Sequence, residues 1–415
     1  MVVELISVGT EILLGNIVNT NAAYLAEKCA EAGLSCYYQT VVGDNMQRLK
    51  ESIELGMSRA DILILSGGLG PTQDDLTKEA VAELLNLRLV MHDDTRERIQ
   101  EIFEKRNLEI TVNNWKQALI PEGATVLDNA NGTAPGIYVK AEKSHIVLLP
   151  GPPNELIPMF EEKVVPILKQ LETSVIYSRT VKICGVGESK AETIIMDLME
   201  LQENPTIAPY AKTGEVHLRV TAKADSKEEA QKKVSPIVKE LKARFGDDVY
   251  TTDPTVTLEK SVIELLKKYD LTLATVESCT GGLLSARLIN VEGASKVFKA
   301  GMVTYSNKSK RKILGVKKPI LTKFGAVSKE TAVSMAKGIL SQTQADVSVA
   351  ITGVAGPDGG TENKPVGLVY IACCIDGITT TNEYQFSGNR SKIRESSVAA
   401  ALTLLRKCVM KELKK

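Results

Sequence analysis

A hydroxyl, an amine and a few glycine-rich loops flanked by carboxylates hold most of the chemistry this chain can do. Ser278 lies in LTLATVESCTGGLLSARLI, which reads as a strand, a turn of small residues and a helix. That placement sets its hydroxyl where N–H groups of a helix start are free to receive an anion, which suits a nucleophile. A base must accompany it. The three histidines, His92, His145 and His217, all precede the last third of the chain, so a Ser-His-Asp triad is not expected there. A lysine can take that role if burial lowers its pKa from about 10.4 to roughly 7–8. Lys310, in VTYSNKSKRKILGV, is the candidate, with Lys308, Arg311 and Lys312 disfavouring a further positive charge and Tyr305 placed to relay or orient the proton. Spacing alone leaves alternatives open: Ser278 also reads as a helix N-cap, Lys310 as a surface lysine, and Cys279 as a rival nucleophile. Strand period argues against the last, because it turns adjacent side chains to opposite faces.

Three further sets of residues offer binding chemistry. Thr280, Gly281 and Gly282 follow the serine, and Thr352, Gly353 and Gly356 lie in AITGVAGPDGG after an apolar strand. Both loops present backbone donors to an oxyanion or a phosphate, with N–H groups near Gly281 or Gly353 the candidates for the oxyanion; a wide surface turn is the plain alternative for the second loop. Arg390, in FSGNR, can give a phosphate a fixed positive charge. Near the N-terminus, SVGTEILLGNIVNTN and LILSGGLGPTQDDLTKEAV each run from a strand into a turn. Gly67, Gly68, Gly70 and Thr72 can cradle a phosphate, while Glu11, Asp74 and Asp75 can hold a hard divalent cation such as Mg²⁺, with Asn21 nearby. The loop is not a Walker A motif, lacking Gly-Lys-Ser/Thr. Asp75 also reads as a helix N-terminal charge, Asn21 as a cap and Glu11 as a surface residue.

The elements that must position these residues form three segments. Residues 1–171 alternate short apolar strands (3–8, 62–65, 145–149) with helices (22–32, 76–85), the pattern of βαβ units on a mostly parallel sheet, whose ligands sit at the carboxyl ends of strands. Residues 172–254 read as a small α+β module, with strands at 175–183, 206–210, 216–222 and 249 and helices at 189–199 and 227–245. Residues 255–415 open with a helix at 258–268 and return to alternation, with strands at 271–276, 347–351 and 366–374. Lys+Arg and Asp+Glu both number 51, so no net field holds the chain on nucleic acid or an anionic membrane. The seven cysteines form no CxxC pair and no zinc-ligand spacing, which fits a reducing compartment. With neither a signal-type N-terminus nor a stretch of membrane-spanning length, the expected location is the cytoplasm.

The strings TVESCTGG, VTYSNKSK, GAVS, ITGVAGPDGG and KPVGLVY, in that order, resemble the nicotinamide-nucleotide amidohydrolase domain of the competence/damage-inducible CinA family. The resemblance implies hydrolysis of nicotinamide mononucleotide to nicotinate mononucleotide and ammonia, with the family's motif positions falling on Ser278, Tyr305 and Lys310 and no cofactor required. GTEIL, NTN, GGLGPTQDD and PGPPNEL resemble the molybdopterin-binding-like domain at the front of that family, which implies a three-layer α/β fold. They also imply metal-dependent cleavage of ADP-ribose to AMP and ribose 5-phosphate. The middle segment is similar to the family's KH-type module, but it offers Gly185-Val186-Gly187 instead of the GxxG that clamps RNA, so direct nucleic-acid binding is not expected. A homodimer is implied by the resemblance alone. Two other readings remain: an N-terminal domain that binds a pterin and cleaves nothing, and a competence or DNA-repair scaffold.

Overall fold

The computed structural model describes residues 1–172 and 174–412. These cluster into two compact units, Met1–Tyr177 with Ala222–Lys232 and Ser178–Thr221 with Lys233–Lys415.

The first unit carries a six-stranded sheet. Strands β1 (Val2–Val8), β2 (Ser35–Val42) and β3 (Ile62–Ser66) are followed by a small ribbon of β4 (Leu89–Met91) and β5 (Leu119–Pro121). Strands β6 (Thr125–Leu127), β7 (Gly136–Lys140) and β8 (His145–Leu149) complete the sheet, in the order β2-β1-β3-β8-β7-β6. The neighbours β2, β1, β3 and β8 run parallel, while β7 and β6 are antiparallel additions. Alternation along the strands makes two cores. Ile6, Val8, Leu63 and Leu65 face helices Met46–Arg59 and Thr77–Leu84. Val3, Leu5, Ile62 and Ile64 face Thr20–Glu31 and the helical run after Pro153. Three layers result, as the fold class requires.

The second unit holds most of a four-stranded sheet and the whole of a five-stranded one. Strands β9 (Val175–Cys184), β10 (Thr206–Lys212), β11 (Glu215–Ala224) and β12 (Val249–Thr251) pair in the order β10-β11-β9-β12, flanked by helices Glu188–Glu200 and Lys227–Phe245. Strands β13 (Leu273–Glu277), β14 (Phe298–Val303), β15 (Val347–Gly353), β16 (Leu368–Ile375) and β17 (Ile378–Gln385) lie in the order β14-β13-β15-β16-β17. The first three of these are parallel and the last two form an antiparallel hairpin. Helices Leu258–Lys268, Leu283–Ile289 and Arg390–Glu412 cover one face, against Leu273, Val347, Val349 and Ile351. Helices Asn307–Leu314 and Lys329–Thr343 cover the other, against Ala274, Val276 and Ala350. No helix of the described residues is long and apolar enough to cross a membrane.

One buried charge shapes the first sheet. Glu4, in the middle of β1, has no exposed surface and accepts from Arg59 Nε at 2.8 Å, Arg59 Nη2 at 2.7 Å and Thr40 Oγ1 at 2.7 Å. Burial pushes its pKa up, but the Arg59 and Thr40 hydrogen bonds outweigh that and hold the carboxyl below its usual range. Removing Arg59 leaves the buried Glu4 carboxylate with Thr40 as its remaining side-chain donor, which destabilises the fold. Arg59→Ala should therefore lower the urea unfolding midpoint, and an unchanged midpoint would show that the pair matters little.

Candidate active site

The site is laid out by strand register. Glu277 on β13 pairs with Val303 on β14 and with Ile351 on β15, so Ser278, Thr304 and Thr352 form the next row, at the carboxyl ends of three parallel strands. Chain order places β14 and β15 on opposite sides of β13, which makes this the switch point where ligands of open α/β sheets bind. The Ser278 amide donates to Ile351 O at 3.0 Å and the Thr304 amide to Glu277 O at 2.9 Å, locking the row.

Lys310 reaches this row from below. Its helix, Asn307–Leu314, starts at the N-cap Ser306, which accepts from the Ser309 amide at 3.1 Å, and ends at Gly315 in the left-handed conformation. Within the helix only Lys310 and Leu314 are buried, four residues apart on one face. Lys310 has no exposed surface, and its Nζ lies 2.9 Å from Ser278 Oγ, 2.7 Å from Thr304 O and 3.3 Å from Tyr305 O. No carboxylate is among its partners. Burial pushes the amine down to about 8. A neutral amine fits these contacts: two N–H bonds serve the two carbonyls, and the lone pair faces the hydroxyl.

Several expectations change in detail. The exposed Lys308, Arg311 and Lys312 are not what lowers the amine; burial is. Tyr305 touches Lys310 through its carbonyl only, while its phenol is 62% exposed and accepts from Arg390 Nη2 at 3.3 Å. Ser278 is no N-cap, because the following helix begins at Leu283 behind Gly282. Nor are that helix's first amides free. Glu277, fully buried, takes them: Gly282 N and Leu284 N donate to Oε2 at 3.0 and 3.1 Å, and Ser285 N and Oγ donate to Oε1 at 2.9 and 2.8 Å. Gly281 N is spent on Ser278 O at 3.1 Å, so it cannot hold an oxyanion as expected. Gly353 sits in the β15–β16 ladder opposite Val369. The amides of the turn with no backbone or side-chain oxygen as acceptor are those of Cys279 and Thr280. Cys279 belongs to the apolar core, and burial pushes its thiol up to about 11, which makes it a poor rival to the serine.

The remaining residues frame the turn. Thr352 Oγ1 donates to Ala326 O at 2.7 Å, and Arg390 Nη1 donates to Gly356 O at 2.7 Å. Arg394, which sequence reasoning missed, holds Thr280 O at 2.7 Å. Glu277 was missed as well, although a carboxylate closing the apolar run LATV, just before the serine, is a readable signal.

In the first unit a cavity of about 400 Å³ opens at the carboxyl ends of β1, β3 and β8. Gly67, Gly68, Gly70, Glu11, Asp74 and Asp75 line it, together with Asp44 and Glu155, which sequence reasoning did not single out. Gly67, at φ +102°, could carry no side chain, since a Cβ there would lie 2.2 Å from Val8 O. The three predicted metal ligands share the cavity but do not converge: the described residues contain no group of three or more metal-ligating side chains. Asp75 is held within its own loop, its Oδ2 accepting from the Thr72 amide at 2.9 Å and from the Thr72 hydroxyl. Thr72 is thus engaged with Asp75. Asn21 donates to Gly151 O at 2.7 Å, and the helix cap beside it is Asn19.

Comparison with known families agrees with this layout. Residues 4–170 match the probable molybdopterin binding domain, 178–251 the damage-inducible protein CinA KH domain, and 255–409 the CinA C-terminal domain. A CinA-like protein of Dictyoglomus thermophilum is 50% identical over 404 residues, 97% of this chain and 98% of the relative. A putative competence-damage inducible protein of Clostridium novyi is 48% identical over 407 residues, 98% of each chain. The crystal structure of a competence/damage inducible protein from Agrobacterium tumefaciens, 43% identical, covers 36% of this chain and 91% of its own, with a TM-score of 0.35.

The buried amine carries a stability signature whose sign follows from its direction. Below pH about 8 folded and unfolded chains both hold the proton, and the burial cost is felt in full. Between about 8 and the ordinary lysine value of 10.5 only the unfolded chain binds it, so stability rises with pH. The unfolding free energy of the parent should therefore gain on that of Lys310→Met across this window in urea titrations; a constant difference would argue for an unshifted amine.

Proposed function

The chain belongs to the CinA family, and from that premise we propose that its C-terminal third hydrolyses the amide of a nicotinamide nucleotide, converting nicotinamide mononucleotide to nicotinate mononucleotide and ammonia. One observation carries the reading: the buried Lys310 amine lies 2.9 Å from the Ser278 hydroxyl, with carbonyls as its only other partners. Such an amine can be neutral near physiological pH and take the hydroxyl proton.

The Ser278 oxygen attacks the carboxamide carbon as its proton passes to Lys310 Nζ. Negative charge then develops on the substrate oxygen, where the amides of Cys279 and Thr280 are the donors at hand. As the C–N bond breaks, the lysine returns the proton to the departing ammonia. Water then attacks the acyl-serine, losing its proton to the same amine, and serine is regenerated. Arg390, exposed beside the Tyr305 phenol, is the cation available to the nucleotide phosphate.

A second activity rests on the carboxylate-lined cavity of the first unit. Its glycine-rich loops and hard oxygen donors suit a pyrophosphate with a divalent cation, and the reading is cleavage of ADP-ribose to AMP and ribose 5-phosphate. Mg²⁺ needs only one or two carboxylates when phosphate oxygens complete its shell. Glu11 and Asp74 would hold it, and it would supply charge neutralisation at phosphorus. Residues 4–170 also match a probable molybdopterin binding domain, so a bound pterin is the second reading, and turnover of ADP-ribose separates the two.

Ammonia release from nicotinamide mononucleotide should fall by at least about 10³-fold in Ser278→Ala and in Lys310→Ala, but stay within a few-fold in Cys279→Ala. The parent's kcat/KM should climb with pH and level off above about 8, as the lysine loses its proton. An active Ser278→Ala enzyme, or a flat profile from pH 6 to 9, would remove the mechanism. In the first unit, Glu11→Gln combined with Asp74→Asn should abolish Mg²⁺-dependent AMP formation from ADP-ribose and leave ammonia release unchanged. AMP formation at the parent rate would show that these carboxylates hold no catalytic ion.

A further inference from the structure

We infer that Glu277 is the positioning residue of the nucleophile turn, acting on the reaction through Ser278 and the two oxyanion amides; this rests on the amidohydrolase reading above. Glu277 ends β13 and has no exposed surface. None of its four donors is a cation: three are amides of Gly282, Leu284 and Ser285, and the fourth is the Ser285 hydroxyl. A buried carboxylate meets a large desolvation cost, and here three amides at a helix start and one hydroxyl offset it. Its main-chain oxygen is also engaged, by the Thr304 amide at 2.9 Å. The residue therefore ties three things together: the strand end before the serine, the helix after it, and the segment that supplies the carbonyls around Lys310.

The geometry of the turn follows from those ties. The carboxylate captures the helix start from within, so the four residues 278–281 must close between two fixed ends. Gly281 and Gly282 close it with φ of +62° and +96°, a conformation that side chains rarely allow. Gly281 N folds back on Ser278 O, and Arg394 Nη2 donates to Thr280 O. What no oxygen takes is the pair of amides at Cys279 and Thr280, which meet only the weakly accepting Cys279 sulfur, beside the hydroxyl that faces Lys310. Were a small N-cap side chain to hold the helix start in place of Glu277, nothing would anchor the strand end to it. The serine row would then be set by the turn alone.

Glu277→Gln keeps the size but sets an NH₂ group against amide donors, so it should loosen the turn without touching substrate. The expected effect is a fall in kcat for nicotinamide mononucleotide of about 10²-fold, with KM within about threefold and the pH at which activity levels off unchanged. A fluorophosphonate probe reads the nucleophile independently of substrate: the Ser278 oxygen bonds to phosphorus, fluoride leaves, and the hydroxyl proton goes to the Lys310 amine. The full-length parent should be labelled at Ser278, Glu277→Gln about 10²-fold more slowly, and Ser285→Ala, which loses one of the four donors, about 3- to 10-fold more slowly. Labelling of Glu277→Gln at the parent rate overturns the inference, as does a change confined to KM or to thermal stability. If Glu277→Gln does not fold, a folded Ser285→Ala labelled at the parent rate overturns it equally, and so does a parent that takes no label. A parent that is labelled yet releases no ammonia sinks the substrate assignment and leaves the role of Glu277 standing.

Discussion

The amine of Lys310 sits in a place that an ammonium group would avoid. It has no solvent and no carboxylate, only two main-chain carbonyls and a hydroxyl. Those surroundings make a base, because they stabilise the uncharged form relative to water. The rest of the second unit serves that condition. Leu314 anchors the helix that carries the lysine, the Ser306 cap starts it and Gly315 ends it. Three strands in register deliver the hydroxyl and one of the carbonyls to the same level.

The two units solve a positioning problem in the same way. Each has parallel strands at the centre of its larger sheet, antiparallel strands at one edge, and glycine-rich turns at the carboxyl ends. They differ in what those turns present. The second unit presents one hydroxyl and a concealed amine. The first presents a cavity bordered by acidic side chains and by glycines that let the loop pass close over β1. One architecture therefore presents a hydroxyl beside a buried amine in one case and a carboxylate-lined cavity in the other.

Much of this was legible in the residues. The helices at 227–245 and 258–268 and the strand at 145–149 lie where periodicity puts them, because each has a sharp change of pattern at both ends. Strands β14 and β17 escaped notice: FKAGMV and ITTTNEYQ are polar or glycine-bearing and earn their place by pairing, which a single sequence does not display. The choice of Lys310 among four nearby cations was readable in principle, since it alone stands four residues before the buried Leu314. Which amides of the turn lack an oxygen acceptor was not readable, because that depends on where the Glu277 carboxylate folds back. Likewise, an Asp next to glycines suggests a cation, but only the turn to Thr72 reveals that Asp75 is already satisfied.

Lys310 is gripped by the carbonyls of positions 304 and 305, not by their side chains. Every residue type has a carbonyl, so the identity of position 305 is decoupled from the holding of the base. The Tyr305 ring projects outward, where what it meets is Arg390 and whatever enters the cleft. Selectivity for the incoming molecule can therefore drift at that position while the proton-transfer apparatus stays the same, a division of labour between main chain and side chain within a single residue.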